Sequence, residues 1–484
     1  MIPELGVGLV YFSELEELRR SIDLTAYDLL EIEPQTFWSI DAAGGIAVNA
    51  GKLAELAQLP TIRLVHSVGL PVGNAAAPSG DALKLLAENV RVLNPPFVSE
   101  HLSFNRVAHG KGERWTGFLL PPPQSLDAVA VAVERLRRLR ETLGVPVAFE
   151  TGVNYFPLCD EDMEDGEFFA AVAEHADCGI LLDLHNLLAN ERNGRQSVES
   201  VLDAIPFERV WEIHVAGGHL HRGFYLDAHH GLVSRELRLL AEHVVPRLPN
   251  LRAIVFEAHP DSLRTIERAQ HDEQLEWLRG LWALRGRRAE ATHSVPARAI
   301  GVRERLPAFA EARTRVAERQ RETAERVDRA GRVEDESRAY ALVRELIGEM
   351  RGGMLLKSTP LVTRLLLATL GVKEFQAIFE RYCGEISPAM FPAQEGAQFL
   401  SFLEGESAEV PCLRETIEFE RALLDVVATG QARRAYFPYH PAQLFMALGK
   451  RMRPRITDHE PYEIEIRPQG ISLRRVTAPH HAAS

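Results

Sequence analysis

The first 285 residues alternate short apolar segments with segments of helical periodicity, and this alternation constrains the fold more than any other feature. Eight apolar segments have the length of buried strands, and helical patterns lie between them. Eight such units over this length are what a closed (β/α)8 TIM barrel requires. An open doubly wound sheet is the alternative, but neither GxGxxG nor GxxxxGK[ST] follows any strand. The predicted strands are Gly6–Val10, Asp28–Glu33, Thr61–His66, Phe97–Leu102, Val147–Thr151, Gly179–His185, Val210–Val215 and Ala253–Ala258.

Imidazole and carboxylate groups stand where six consecutive predicted strands end. The carboxyl ends of barrel strands meet at one mouth, so we expect these groups to converge there. Strand ends that merely approach water would carry Ser, Thr, Asn and Lys as readily, yet Lys is absent from all six ends. The sequence therefore predicts a metal centre. The groups at the strand ends are His66, Glu100 with His101, Glu150, Asp183 with His185, His214 and Glu257.

Two further candidates lie on a loop. Gly217-Gly218 ends the seventh predicted strand and releases a segment that carries Asp227 and His229. With these, the candidate ligands are enough for two or three metal ions bridged by carboxylates. Mixed nitrogen and oxygen ligation suits iron, manganese or zinc, and the lack of thiolates disfavours structural zinc and iron–sulfur clusters. The predicted ligands are His66, His101, Glu150, Asp183, His185, His214, Asp227, His229 and Glu257.

The spacing of these residues assigns some roles and leaves others open. Asp183 and His185 are two apart, so on a strand they would share a face and both act as ligands. Glu100 and His101 are adjacent and would point to opposite faces, so we take His101 as the ligand and Glu100 as the residue that orients it. Glu31 and Glu33 also share a face at the end of the second predicted strand, and the nearby Gln35, Phe37 and Trp38 are interpreted as pocket wall. The roles of His219, His221, His230 and His259 stay open.

Composition excludes several other classes of protein. The net charge of −13 argues against a general nucleic-acid binder. The N-terminal residues MIPELGVGLVYF do not resemble a signal peptide, and no segment is apolar enough to cross a bilayer. Four scattered cysteines without a CxxC pair indicate a reducing compartment. We therefore expect a cytoplasmic protein with neither a nucleic-acid nor a membrane partner.

The second half of the chain has a different composition. Residues 286–338 are dense in Arg, Glu and Ala, with opposite charges three or four apart, which predicts a charged helical connector. Residues 339–484 regain apolar periodicity and predict four to six amphipathic helices. The alternating segment around Pro468-Gln469-Gly470 predicts a terminal β-hairpin. The chain is thus divided into a barrel over 1–285, a connector and a mostly helical domain.

An ordered set of motifs over residues 1–285 resembles the family known as DUF692. The motifs are HSVGLPVG, SEHLSF, FETGVNYF, LLDLHNLLANERN, EIHVAGGH, DAHHGLVSRE and FEAHPD. Members are described as multinuclear non-heme iron-dependent oxidative enzymes and include the methanobactin biosynthesis oxygenase. The resemblance implies a TIM barrel with two or three irons, mixed Fe2+ and Fe3+, that uses O2 to modify cysteine in a ribosomal precursor peptide. The resemblance also implies that all the predicted ligands bind iron and that Asp227 and His229 are catalytic. Many members have Glu-Asn where this chain has Glu150-Thr151.

The segment YCGEISPAMFPAQEGAQFLSFLEG and the helical pattern after it loosely resemble the small partner proteins of these oxygenases. The resemblance implies a peptide-recognition domain fused in cis, which would raise the effective concentration of the peptide. One alternative is a zinc- or manganese-dependent isomerase or phosphodiesterase on a xylose-isomerase-like barrel. Sugar isomerases of this shape usually need a barrel lysine, which these strand ends lack. Another alternative is a non-catalytic metal-binding adaptor, but the number of ligands exceeds what storing one ion needs.

Overall fold

A computed structural model provides the structure of the chain. It describes residues 2–18, 22–41, 45–110, 112–159, 161–286, 304–329, 337–406 and 410–476. The chain divides into two compact units. The first contains residues 1–38, 48–113 and 119–340, and the second contains residues 39–47, 114–118 and 341–484.

Eight parallel strands form a closed barrel in the first unit, which confirms the predicted TIM barrel. Each strand pairs with its sequence neighbours, and β1 closes the ring by pairing with β8. Most of their side chains are buried on both faces, as expected for a parallel sheet covered by helices. The strands are β1 Gly6–Tyr11, β2 Leu29–Ile32, β3 Ile62–Ser67, β4 Val98–His101, β5 Val147–Glu150, β6 Gly179–Asp183, β7 Val210–Ala216 and β8 Ala253–Glu257.

Helices cover the barrel and begin and end at the residues that capping chemistry favours. The longest of the barrel's own helices starts at Ser125, whose side chain accepts a hydrogen bond from the Ala128 N–H, and ends at Gly144, which has φ of 70°. None of the described helices is long and apolar enough to cross a membrane. The helices are Ala50–Ala57, Gly80–Leu93, Leu126–Leu143, Asp165–Ala176, Leu184–Arg192, Val198–Ala204, Arg235–Val244, Pro260–Leu263 and Arg268–Trp282.

Short hairpins interrupt the βα alternation. The segment after β4 forms a two-stranded sheet of Phe104–His109 and Gly112–Leu120, and the segment after β7 forms the antiparallel pair His219–His221 and Phe224–Leu226. The first of these pairs was not predicted from the sequence. The second sets the direction of the loop that carries Asp227 and His229.

A further helix, Phe309–Arg329, belongs to the first unit although it lies in the stretch predicted as a connector. Its buried face includes Val316 and Gln320. The Gln320 side chain donates to the Gly73 carbonyl at 2.7 Å and accepts from the Ala75 N–H at 3.1 Å. The helix therefore holds the loop that follows β3. Residues 287–303 and 330–336 of the predicted connector lie outside the described residues.

The second unit is mostly helical and ends in an antiparallel hairpin, as predicted. Its core contains the buried pair Arg351 and Glu395, whose Nε and Oε1 atoms are 2.5 Å apart. The hairpin of β10 Tyr462–Arg467 and β11 Gly470–Arg475 gains a third strand, β9 Arg433–Phe437, which the sequence did not predict. The helices are Arg338–Ser358, Pro360–Leu370, Val372–Glu385, Pro392–Gly405, Leu413–Thr429 and Pro441–Gly449.

Candidate metal centre

The ends of β3, β4 and β5 bring together a first group of ligand atoms. Glu150 Oε2 lies 3.0 Å from His101 Nε2 and 3.3 Å from His66 Nε2. The three side chains offer ligand atoms that all lie within 4.8 Å of one another. Two ligands about 2.1 Å from one ion and at right angles to each other lie about 3.0 Å apart, so this spacing fits a shared cation.

A second group of ligands shares Glu150 with the first. Glu150, Asp183, His214 and Glu257 also offer ligand atoms within 4.8 Å of one another, and all four residues are buried. His214 Nδ1 lies 3.1 Å from Glu257 Oε2 and 4.0 Å from Glu150 Oε1. Because the two oxygens of Glu150 face different groups, this carboxylate can bridge two ions.

The loop after β7 adds Asp227 and His229 on the other side of Glu257. His229 Nε2 lies 2.9 Å from Asp227 Oδ1 and 3.2 Å from Glu257 Oε2. Backbone bonds hold this loop, since the His229 carbonyl accepts from the His259 N–H at 2.9 Å. The His229 side chain is 33% exposed, whereas that of His214 is fully buried, so the loop pair forms the open side of the cluster.

Gly217 and Gly218 allow this loop to pack over the cluster. A Cβ atom on Gly218 would lie 2.4 Å from His185 Cε1 and 2.6 Å from the Leu226 carbonyl oxygen. A Cβ atom on Gly217 would lie 2.2 Å from the His230 carbonyl oxygen. Both positions therefore need glycine for close approach of the backbone, beyond ending a strand.

Several buried polar atoms of the cluster have no hydrogen-bond partner within the described part of the chain. Buried nitrogen and oxygen atoms rarely stay unpaired in folded proteins, because desolvating them is costly. These atoms face one another at about the spacing of metal ligands, and they combine imidazole with carboxylate. The donor set therefore fits two or three cations such as iron. The unpaired atoms include Glu150 Oε2, His214 Nδ1, His229 Nε2, Asp227 Oδ1 and Glu257 Oε2.

The pKa shifts of the cluster residues also fit a metal-binding site. Burial alone would raise the pKa of Glu150, but the imidazoles of His101 and His66 hold it well below its usual value. Burial opposes protonation of His101, yet Glu150 and Glu100 raise the pKa of that imidazole well above its ordinary value. Burial and the charges of Asp227 and Glu257 raise the pKa of Asp183 well above its usual range. Metal-free protein thus holds protons where cations would bind, and metal uptake should release them.

His185 does not lie where the sequence placed it. The prediction that it shares a strand face with Asp183 is wrong, because β6 ends at Asp183 and His185 belongs to helix Leu184–Arg192. Asp183 caps that helix by accepting from the Asn186 N–H at 2.8 Å. The His185 Nε2 atom lies 3.3 Å from the Leu226 carbonyl oxygen and 3.9 Å from Asp227 Oδ1. His185 therefore lies against the loop that carries Asp227.

Carboxylates and hydroxyls around the ligands complete the centre. Glu100 accepts from the His101 N–H at 2.9 Å and from the Ser67 hydroxyl at 2.5 Å, while Ser99 Oγ lies 2.9 Å from His66 Nδ1. Thr151 Oγ1 accepts from the Asp183 N–H at 3.0 Å.

The sequence did not reveal a role for Glu31 and Glu212. In the structure, Glu31 Oε2 lies 3.0 Å and Glu212 Oε1 lies 3.7 Å from His214 Nε2. Both side chains are fully buried. The available signal was their position on barrel strands, with Glu212 two residues before His214. Of the four histidines left open, His219 and His230 lie near each other, with ring centroids 5.9 Å apart.

The fold and the cluster define a (β/α)8 barrel protein with a candidate multinuclear metal centre at the carboxyl ends of its strands. The model of the RiPP precursor modification enzyme family MbnB/TglH/ChrH matches residues 6–271, and the chain belongs to this family. The match covers the barrel and ends before residues 341–484, which make up most of the second unit.

Relatives of similar length to the barrel are known from several bacteria. A UPF0276 protein of Chromobacterium violaceum is 34% identical over 204 residues, which cover 42% of this chain and 72% of the relative. A UPF0276 protein of Anaeromyxobacter sp. is 32% identical over 207 residues, covering 42% of this chain and 71% of the relative. Among solved structures, the chain is similar to D-psicose 3-epimerase in the presence of D-fructose, with a TM-score of 0.36 and 12% identity; the match covers 57% of this chain and 97% of that one.

Proposed function

We propose that this chain is a multinuclear non-heme iron enzyme that uses O2 to oxidise a residue, cysteine in the first instance, of a ribosomal precursor peptide. Family membership supports a role in modifying such peptides. The observation that supports a centre with more than one metal ion is that neighbouring ligand groups share Glu150 and Glu257. A single mononuclear site would not need shared carboxylates.

Three positions for iron follow from these groups. His66, His101 and Glu150 would hold the first ion, and Asp183 and His214, with Glu150 and Glu257, would hold the second. Asp227, His229 and Glu257 would hold a third ion on the open side. Bound iron would supply a Lewis-acidic, redox-active centre that can take up a thiolate and O2.

The side chains around this centre determine the side from which a peptide residue can approach it. The partly exposed pair Asp227 and His229 borders the open side, so the peptide residue should approach there, whereas the buried carboxylates close the other sides to water. Tyr155 fixes the loop, because its hydroxyl accepts from the Asp227 N–H at 3.1 Å. Glu257 Oε2 lies against both His214 and His229, so it couples the loop to the buried ligands.

The test joins metal analysis to peptide mass spectrometry. The full chain from iron-replete cells should contain two to three irons, and its oxidation of the precursor peptide encoded near its gene should consume O2. Asp227→Ala and His229→Ala should abolish the mass change while the buried ligands keep metal. Tyr155→Phe, which removes the hydroxyl that accepts from the Asp227 N–H, is a milder perturbation of this loop. Full activity with zinc as the only metal would refute the iron assignment, and activity in both loop variants would refute the role of the loop.

We further propose that residues 339–484 recognise the peptide and perform no chemistry. Strand β11 forms the edge of its sheet, and its exposed side chains include Ile471 and Leu473. An exposed edge strand can pair with an extended peptide and hold its reactive end near the centre. Ile471→Glu with Leu473→Glu should weaken peptide binding without lowering iron content. Met446→Glu, an exposed apolar residue of the same unit, is the matched control. Unchanged peptide affinity in the double variant would refute a role for this edge.

A further inference from the structure

The start of helix Arg338–Ser358 contacts the two segments that hold Asp227. The first three residues of this helix belong to the first unit, and the helix continues into the second. Arg338 contacts the hairpin after β7, and Tyr340 contacts the loop after β5. Both residues lie outside residues 6–271, which the family model matches. These contacts therefore come from a part of the chain that family membership does not explain.

Arg338 holds the hairpin that leads to Asp227. Its Nη2 atom donates to the Arg222 carbonyl at 2.7 Å, in the two-residue turn of the hairpin. Arg222 has φ of 49°, as a tight turn between two antiparallel strands requires. The Arg338 guanidinium also lies 5.8 Å from the centroid of the Phe224 ring. Because strand Phe224–Leu226 ends directly before Asp227, a movement of this turn would move the ligand.

Tyr340 holds the same ligand by a second route. Its side chain is buried, and its ring stacks on that of Phe156 with centroids 4.4 Å apart and 21° between the planes. Phe156 follows Tyr155, whose hydroxyl accepts from the Asp227 N–H at 3.1 Å. Tyr155 also packs edge-on against Phe224, with centroids 6.3 Å apart. The two routes therefore meet, because Tyr155 contacts both Phe224 and Asp227.

The loop that carries Asp227 and His229 needs such support more than the buried ligands do. Glu150, His214 and Glu257 lie on strands of the closed barrel, which fixes their backbone. Asp227 and His229 follow the hairpin in a segment that belongs to no strand or helix. His229 has φ of 48°, which a residue other than glycine adopts only where its surroundings impose it. A loop already held in this geometry loses less conformational entropy when it binds a metal, so it binds the metal more tightly.

We propose that Arg338 and Tyr340 position Asp227 and thereby set the affinity of the loop position, the metal position formed by Asp227, His229 and Glu257. They are positioning residues, because they act through the hairpin and through Tyr155. The clause about metal affinity rests on the third ion of the proposed function, whereas the clause about the order of the loop rests on the contacts alone.

Two pairs of variants separate these contacts from general stability. Arg338→Met removes the donor to the hairpin turn, and Arg338→Lys restores a cationic donor. Tyr340→Leu removes the stacked ring, and Tyr340→Phe keeps it. Arg329→Met is the matched control, since Arg329 is also exposed and also donates to a backbone carbonyl, that of Glu325 at 3.2 Å. Arg338 is exposed, so Arg338→Met should fold and tests the proposal even if Tyr340→Leu does not.

The first measurement is metal binding by the full-length proteins. Elemental analysis counts every transition metal per chain, and anaerobic competition with a chelator gives the affinity for Fe2+. Arg338→Met and Tyr340→Leu should weaken the most weakly held ion about 10–100-fold and leave the others unchanged. Arg338→Lys, Tyr340→Phe and Arg329→Met should resemble the wild type. Unchanged affinity in Arg338→Met, or an equal loss at every position, would overturn the clause about metal affinity.

The second measurement is amide hydrogen exchange across residues 219–230 in the same proteins. Exchange there should be about tenfold faster in Arg338→Met than in the wild type, because the turn loses its hydrogen bond. Asp227→Ala is the reference for metal loss: it removes a ligand but keeps the contact of Arg338, so the hairpin should exchange as slowly as in the wild type. Equal exchange in Arg338→Met and the wild type would overturn the clause about the order of the loop.

The same reference separates this inference from the proposed function. If Asp227→Ala keeps all its metal, the loop binds no ion, and the third iron of the proposed function falls together with the clause about metal affinity. If Asp227→Ala loses an ion and Arg338→Met does not, only the inference falls. Neither measurement requires turnover, so a failure to oxidise precursor peptide counts against the proposed function alone.

Discussion

The Nε2 atom of His214 lies 3.0 Å from Oε2 of Glu31, deep in the barrel where both side chains are fully buried. The other ring nitrogen, Nδ1, lies 3.1 Å from Glu257 Oε2 among the candidate ligands. The imidazole therefore stands between the ligand cluster and a second carboxylate. A proton on Nε2, favoured by the negative charge of Glu31 at this distance, would leave the Nδ1 lone pair free for a metal.

Glu31→Gln should lower metal affinity about 10–100-fold, because the amide supports the required tautomer of His214 less well than a carboxylate does. Metal titration with a competing chelator measures the change, and circular dichroism checks the fold. Glu212→Gln is the matched control. Burial and the charge of Glu31 raise the pKa of Glu212 to about 8, so at pH 7 this residue is already mostly neutral. An equal loss of affinity in both variants would contradict a special role for Glu31.

Glu150→Gln should remove two metals, whereas His66→Ala should remove one. Glu150 lies in both the group with His66 and His101 and the group with His214 and Glu257, while His66 lies in only the first. Elemental analysis of the purified full-length variants gives the number of ions per chain. If Glu150→Gln and His66→Ala lose the same number, the carboxylate does not bridge.

Gln320→Ala should destabilise the first unit by about 1–3 kcal/mol, because it leaves the buried Gly73 carbonyl and Ala75 N–H without their partner. The midpoint of urea unfolding, followed by a probe in the barrel, measures this change. Glu318→Ala, an exposed position on the same helix, should leave the midpoint unchanged. Equal midpoints for the two variants would show that the Gln320 contacts contribute nothing.

Glu420 should make the second unit less stable as the pH rises. Burial raises the pKa of this carboxyl to about 7, although its acceptance of the Leu361 and Val362 N–H groups opposes the shift. The folded state therefore holds the proton more tightly than the unfolded state does. The stability that Glu420 contributes is full below about pH 4.5 and is lost as the pH rises through about 7, by about 3 kcal/mol in all.

Glu420→Gln cannot ionise and should lack this dependence. Urea unfolding of wild type and variant between pH 4.5 and pH 8, followed by a probe in the second unit, tests the difference. A gap between the two proteins that stays constant over this range would contradict the shift.

The periodicity of the sequence was enough to predict the barrel, because each buried strand forms a short apolar run and the strand ends share one mouth. His66, His101, Glu150, His214 and Glu257 lie at or near those ends, so their convergence follows from the fold. The placement of His185 could not be obtained this way. Asp183 is both the last residue of a strand and the N-cap of a helix, so the side-chain repeat changes there from two residues to 3.6 residues. The identity of a bound metal does not follow from the hydrophobic periodicity of a strand.

The partnership of Glu31 with His214 was hidden for a different reason. The two residues are distant in sequence, and only the closed order of the strands brings β2 and β7 to face each other across the barrel. A carboxylate on an inner strand looks the same in sequence whether it faces a ligand or only lines a wall.

Helix Phe309–Arg329 sets where this chain can be cut or recombined. Arg315 and Arg319 pair with Asp127 and Asp162, and Gln320 bonds to the loop after β3, so a barrel ending at residue 285 would lose all these contacts. A chimera that exchanges the C-terminal region among relatives should therefore keep its junction beyond Arg329. Any exchange of the C-terminal region between chains would therefore have to leave this helix with the barrel whose loop and side chains it contacts.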